Sequence, residues 1–83
     1  MEQYLILARS VTYAQRMESV LKKAGIRSQI FRASRDLTDL GCAYALKVIT
    51  ADIFSVVYIL RNNRLDPLKV FRFQDHSYQE VVL

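Results

Sequence analysis

The chain carries a single cysteine, Cys42, placed directly after Gly41. Immediately upstream runs Arg32-Ala33-Ser34-Arg35-Asp36-Leu37-Thr38-Asp39-Leu40, which sets two arginines close to the thiol in sequence. A thiol attacks as its thiolate, and neighbouring cationic groups or a helix N-terminus lower its pKa from about 8.5. The competing reading is a small apolar filler, because free cysteine is among the most buried residue types. Residue type alone favours the filler, and placement in a fold has to decide. The remaining chemistry is sparse. One cysteine permits neither an intramolecular disulfide nor a thiolate zinc site, and the lone His76 adds too little for a metal cage. His76 also falls in the C-terminal tail and reads as an exposed bystander. Asp36 and Asp39 read as loop and turn formers, not as a catalytic pair. No cofactor, no metal and no self-contained hydrolase or transferase activity is expected.

Composition narrows the class further. Eighty-three residues with 52% hydrophobic content make one domain, 1–83, with a core over about 3–74 and a tail over 75–83. A domain this small buries only about 60–65% of its unfolded surface, so its stability leans towards a partner. The apolar run Tyr4–Ala8 is too short for the core of an export signal. Ile53–Leu60 falls far below the ~18 residues that cross a bilayer. A reducing, cytoplasmic setting without membrane attachment is the plain expectation. The net charge of +4 is mild, and the basic residues are mostly arginine, which suits anion contact; solubility explains the same number equally well.

The elements that must position Cys42 follow from hydrophobic period and punctuation. Gln3–Arg9 reads as a central strand, nearly continuous in apolar character. Ser10 is a natural N-cap for a helix over Val11–Ala24, whose Ala14, Met17, Leu21 and Ala24 form one stripe, and Gly25 closes it. Ile26–Arg32 reads as an edge strand, and the stretch to Leu40 has no periodicity. Ala43–Val48 is a third strand, with Cys42, Tyr44, Leu46 and Val48 on one face. Thr50 caps a second helix, with Asp52 in its first turn. Ile53, Val56, Val57 and Leu60 make its stripe, and Phe54 and Tyr58 add apolar surface expected to be extra core. Asn62-Asn63 end the helix and Pro67 turns the chain into a fourth strand, Leu68–Phe73. In the tail, Val81-Val82-Leu83 either adds a short strand or stays disordered.

The order strand–helix–strand–strand–helix–strand predicts an α+β, ferredoxin-like βαββαβ fold: a four-stranded antiparallel sheet, order 4-1-3-2, with both helices on one face. The first strand then ends at the sheet edge where the third begins. Arg9, Ser10, Arg32, Gly41 and Cys42 gather at that end, with the Asn62–Pro67 turn and Arg64 beside them. Cys42 shares the face of Leu46 and Val48, which points its sulfur towards the first turn of helix one. That placement moves the reading of Cys42 from filler towards a reactive thiolate stabilised by Arg9, Arg32 and the helix N-terminus.

Several segments also carry a resemblance. Ser10-Val11-Thr12-Tyr13-Ala14, Leu21-Lys22-Lys23-Ala24-Gly25-Ile26, Ser34-Arg35-Asp36-Leu37 and Gly41-Cys42-Ala43-Tyr44-Ala45-Leu46 together resemble the small bacterial family described as putative selenium/sulfur carrier protein-like. The likeness covers roughly residues 4–48. It implies Cys42 as the chalcogen-bearing thiol, Arg35 beside it and Ser10 at the opposing helix cap, with chalcogen donor and acceptor proteins as partners. Two positions depart from the pattern: Ser34 stands where the family often has proline, and glycine precedes the cysteine where many members have it after.

Three functions compete. The first is a carrier that holds sulfur or selenium on Cys42 as a persulfide-type adduct. A second is RNA binding, since RNA-recognition domains use the same element order. Leu40–Lys47 lies where their third-strand motif lies but lacks its leading basic residue and two of three aromatics, which argues against nucleic acid. The third is a dimeric interaction or ligand-sensing module pairing through the uncovered sheet face, with Tyr4, Ile6, Ala43, Ala45 and either Val70 or Phe71 lining it.

Overall fold

A computed structural model describes residues 1–33 and 44–82. The elements are β1 (Glu2–Ala8), α1 (Val11–Lys23), β2 (Ser28–Arg32), β3 (Tyr44–Thr50), α2 (Ile53–Asn62), β4 (Lys69–Gln74) and β5 (Ser77–Glu80). They build one antiparallel sheet in the order β2-β3-β1-β4-β5. The expected 4-1-3-2 arrangement of the first four strands is present, and the sheet has five strands, not four. The extra strand is a hairpin partner of β4. Gln74 pairs with Ser77, so Asp75 and His76 form a two-residue turn, and both sit in the left-handed region at φ 53° and 63°. Two consecutive left-handed residues give the type I′ turn whose twist matches that of the flanking strands. Asp and His tolerate that region better than most side chains. Val81 follows, donating its N–H to the Val70 carbonyl at 2.7 Å and packing against the core, so the strand precedes the Val81–Leu83 end instead of lying on it.

The core forms between one face of the sheet and the helices. Tyr4, Ile6 and Ala8 of β1, Leu46 and Val48 of β3 and Val70 of β4 meet Ala14, Met17 and Leu21 of α1 and Ile53, Val56, Val57 and Leu60 of α2. Ile6 lies between Leu46 and Val70 in the register, which fixes the parity of all three strands. Tyr4 and Ile6 therefore face the helices and do not line the opposite face, correcting that expectation. Leu5 and Leu7 take the other side, where Leu7 opposes Ala45 and Leu5 opposes Phe71. Leu5, Leu7 and Ala45 are buried as well, so β1 is enclosed on both faces, as its unbroken apolar run requires.

Both helices carry identifiable caps. Ser10 is extended, and its Oγ accepts from the Tyr13 N–H at 3.2 Å. At the far end the Ile26 N–H reaches the Leu21 carbonyl and the Gly25 N–H reaches that of Lys22, with Gly25 at φ +80°. That is the Schellman arrangement, in which glycine takes the left-handed position without a Cβ clash. The N-cap of α2 is Asp52, not Thr50; Thr50 closes β3 and its Oγ1 accepts from the Asp52 N–H at 3.1 Å. Phe54 and Tyr58 are 61% and 67% exposed, so α2 buries a single stripe and the expected extra core is absent there. With four buried residues already spaced on one side of a ten-residue helix, no second layer meets the opposite edge.

Candidate functional site

The register assembles one end of the sheet from the backbone upward. Ala8, the last residue of β1, pairs with Tyr44, the first of β3, and Tyr44 pairs on its other side with Arg32, the last of β2. Arg9 and Ser10 continue directly from Ala8 into α1. The turn after α2 reaches the same end, because the Leu68 N–H donates to the Leu7 carbonyl at 2.9 Å. The register thus brings Arg9, Ser10 and Arg32 to one end of the sheet, whereas Arg64 lines a cleft beside Arg16, Ser19 and Val20. Arg35, Gly41 and Cys42 lie outside the described residues.

Arg9 is exposed, and its guanidinium carbon lies 4.8 Å from the centre of the Tyr13 ring, a cation–π contact that holds the head near the first helical turn. Arg32 is exposed at the strand end. The first turn of α1 contains no acidic residue, so the positive end of its dipole is not offset by a carboxylate of its own. Ser10 is occupied as a cap and serves to order that turn. The charge and geometry at this end suit an anion or a thiolate.

Shifted titrations fall elsewhere. Glu2 pairs with Thr50 at the opposite end of β1 and β3, and among the described residues the two groups with displaced pKa values, Tyr4 and Asp52, lie near that end. Burial raises the Tyr4 phenol, helped by its hydrogen bond to Glu2 Oε2 at 2.8 Å. The Ser55 hydroxyl, followed by backbone N–H donors, holds the Asp52 carboxyl below its usual range. Both shifts have structural causes. An open groove of about 480 Å³ also lies at that end, between the Gly25–Gln29 segment and Lys47, Ile49 and Thr50. A smaller cleft between α1 and the turn after α2 brings Arg16, Ser19 and Arg64 together, a grouping that sequence spacing did not reveal. Its available signal was the absence of glycine or asparagine at position 64, just past a helix end. Among the described residues no three His, Cys, Asp or Glu side chains converge on a common point, and no helix is long and apolar enough to cross a membrane.

Comparison with known proteins adds one finding. A family model described as "Putative Se/S carrier protein-like" matches residues 3–72, which takes in both helices and the strands from β1 into β4. No curated protein and no solved structure matches the chain significantly.

Proposed function

The chain belongs to the Se/S carrier protein-like family, and from that premise we propose that it carries sulfur or selenium on Cys42. The thiolate attacks the terminal sulfur of a donor persulfide. A new S–S bond forms at Cys42, the donor's own S–S bond breaks, and the donor thiolate leaves with the electron pair, so no external oxidant is needed. An acceptor thiolate reverses the step. The observation that carries the reading is the pairing Ala8–Tyr44–Arg32. Cys42 is two residues along the chain from Tyr44, a reach of at most about 7 Å. That reach is compatible with a thiol close to Arg9, Arg32 and the first turn of α1, and Arg35 and Gly41 share its connecting segment in the sequence. Cationic groups and helix N-termini raise the thiolate fraction at neutral pH.

Intact mass of protein purified without reductant tests the adduct: an added sulfur or selenium lost on reduction is expected. Alkylation at neutral pH tests the thiolate. Cys42 should react faster than a free cysteine model, and Arg9→Ala, Arg32→Ala or Arg35→Ala should slow it modestly, less so at high salt. A Cys42 that resists alkylation until the protein unfolds removes the chemical basis of the carrier reading.

We also propose self-association through the sheet face away from the helices. Ile49 and Phe31 are 55% and 36% exposed, and the Phe73–Tyr78 pair, with ring centres 4.9 Å apart, presents further apolar surface on that side. Sedimentation should show a concentration-dependent dimer that Ile49→Lys disrupts. A monomer mass at every concentration dismisses it.

A further inference from the structure

We infer that Tyr13 is a positioning residue: it holds the Arg9 guanidinium, still charged, at the end of the sheet where the carrier reading puts the thiol, and the inference rests on that reading. The backbone on both sides of Arg9 is fixed. Ala8 before it is fully buried and pairs with Tyr44, and Ser10 after it is the extended N-cap of α1. The Ser10 carbonyl accepts from the Ala14 N–H at 3.0 Å and its Oγ from the Tyr13 N–H at 3.2 Å. Backbone order does not extend to the head of an exposed arginine, whose rotamer freedom spreads its charge through solvent.

Tyr13 supplies the restraint. Its ring is half-buried and packs against the core, and the Arg9 guanidinium carbon lies 4.8 Å from the ring centre, inside the reach of about 6 Å for a cation–π contact. The choice of partner matters. A carboxylate would hold the head but cancel its charge, whereas a ring holds it by its face and leaves the in-plane N–H donors for an anion. Position in the helix makes the same point independently. Ser10 is the N-cap, so Tyr13 stands at the third helical position, where a capping box ordinarily carries glutamate or glutamine. An aromatic ring replaces that side chain, and the first turn contains no acid.

NMR of the full chain reads the tether directly. The Arg9 side-chain protons should show an upfield ring-current shift that Tyr13→Phe keeps and Tyr13→Leu loses. The pH–rate profile of Cys42 alkylation reads its effect on the thiol. Tyr13→Leu should move the profile to higher pH and slow the reaction at pH 7 by about two- to fivefold, the range of an exposed cation–π contact. Tyr13→Phe should leave the profile in place, because its ring face serves equally. In the Arg9→Ala background Tyr13→Leu should change nothing further, while its effect should add to that of Arg32→Ala. A tyrosine with only a structural role would slow the reaction equally in both backgrounds, and that result overturns the proposal. So do unshifted Arg9 protons, and a profile that Arg9→Ala moves but Tyr13→Leu does not. An intact mass without sulfur or selenium beside a coupled Arg9–Tyr13 pair removes the carrier function and upholds the role of Tyr13 at the thiol.

Discussion

Asp52 illustrates how one residue ties a local hydrogen-bond pattern to the behaviour of the molecule. Its Oδ1 accepts from the N–H groups of Phe54 and Ser55, and its Oδ2 accepts from Ser55 Oγ at 2.7 Å. These bonds favour the ionised form, so the carboxyl titrates below its usual range in the folded state. The unfolded chain binds this proton first as pH falls. The stabilisation is therefore present above the unfolded value of about 3.9 and is lost as pH drops through the lower folded one. Asp52→Asn keeps a side chain that caps but does not titrate. Urea midpoints followed from pH 5 to about pH 2 should decline less steeply in the variant. Equal slopes would place the acid sensitivity on other carboxyls.

At the level of elements, the two helix ends form a matched pair. A Cβ built on Gly25 meets nothing within 4 Å, so Gly25→Ala tests backbone conformation alone. It should cost about 1 kcal/mol, the penalty of a left-handed alanine. Arg64→Gly relieves the same penalty but frees the unfolded chain by about 0.4–1 kcal/mol, so its net gain is smaller. Urea unfolding should give opposite signs for the two variants, and a shared sign would mean that contacts outweigh φ. The β4–β5 hairpin offers a separate check. All four residues of β5 are exposed, so the strand rests on its ladder and on the Asp75-His76 turn. Replacing Asp75-His76 by Asn-Gly, the preferred type I′ pair, should slow amide exchange in Ser77–Glu80 and leave β1 unchanged. Unaltered exchange would show that the turn does not limit the hairpin.

On the scale of the whole molecule, the fold depends on a single layer between sheet and helices. Its Cα radius of gyration of 11.5 Å agrees with the value of about 12 Å expected for a compact chain of this length. Leu46 sits at the centre of that layer, opposed by Ile6 on one side and Ile30 on the other, and is fully buried. Leu46→Ala should cost about 2–5 kcal/mol. Domains of this kind hold about 5–15 kcal/mol in total, and a small one sits near the lower end. Calorimetry should therefore show a melting temperature lowered by many degrees or no cooperative transition. An unchanged melt would mean that stability resides outside this layer. The surface ion pairs contribute little by comparison, since Arg61–Asp66, Lys69–Glu80 and Arg72–Glu2 are all substantially exposed.

By itself the sequence determined the elements whose signals are local. The Tyr4–Ala8 run, the Ser10 cap, the Gly25 stop and the stripe of Ile53, Val56, Val57 and Leu60 each carry their cause within a few residues, so strand order and both helices were legible. So was the gathering of Arg9, Ser10 and Arg32, because it follows from topology. The tertiary structure alone decided what depends on partners distant in the chain. Register gave β1 its parity, turning Tyr4 and Ile6 towards the helices and Leu5 and Leu7 away, which an unbroken apolar run cannot encode. The fifth strand escaped because Asp75-His76 lacks the glycine that usually marks a type I′ turn and β5 has no apolar alternation. Phe54 and Tyr58 look like core by residue type; only the position of α2 on the sheet leaves them in water. The cleft of Arg16, Ser19 and Arg64 joins residues more than forty positions apart, and packing of α1 against the end of α2 is what brings them together.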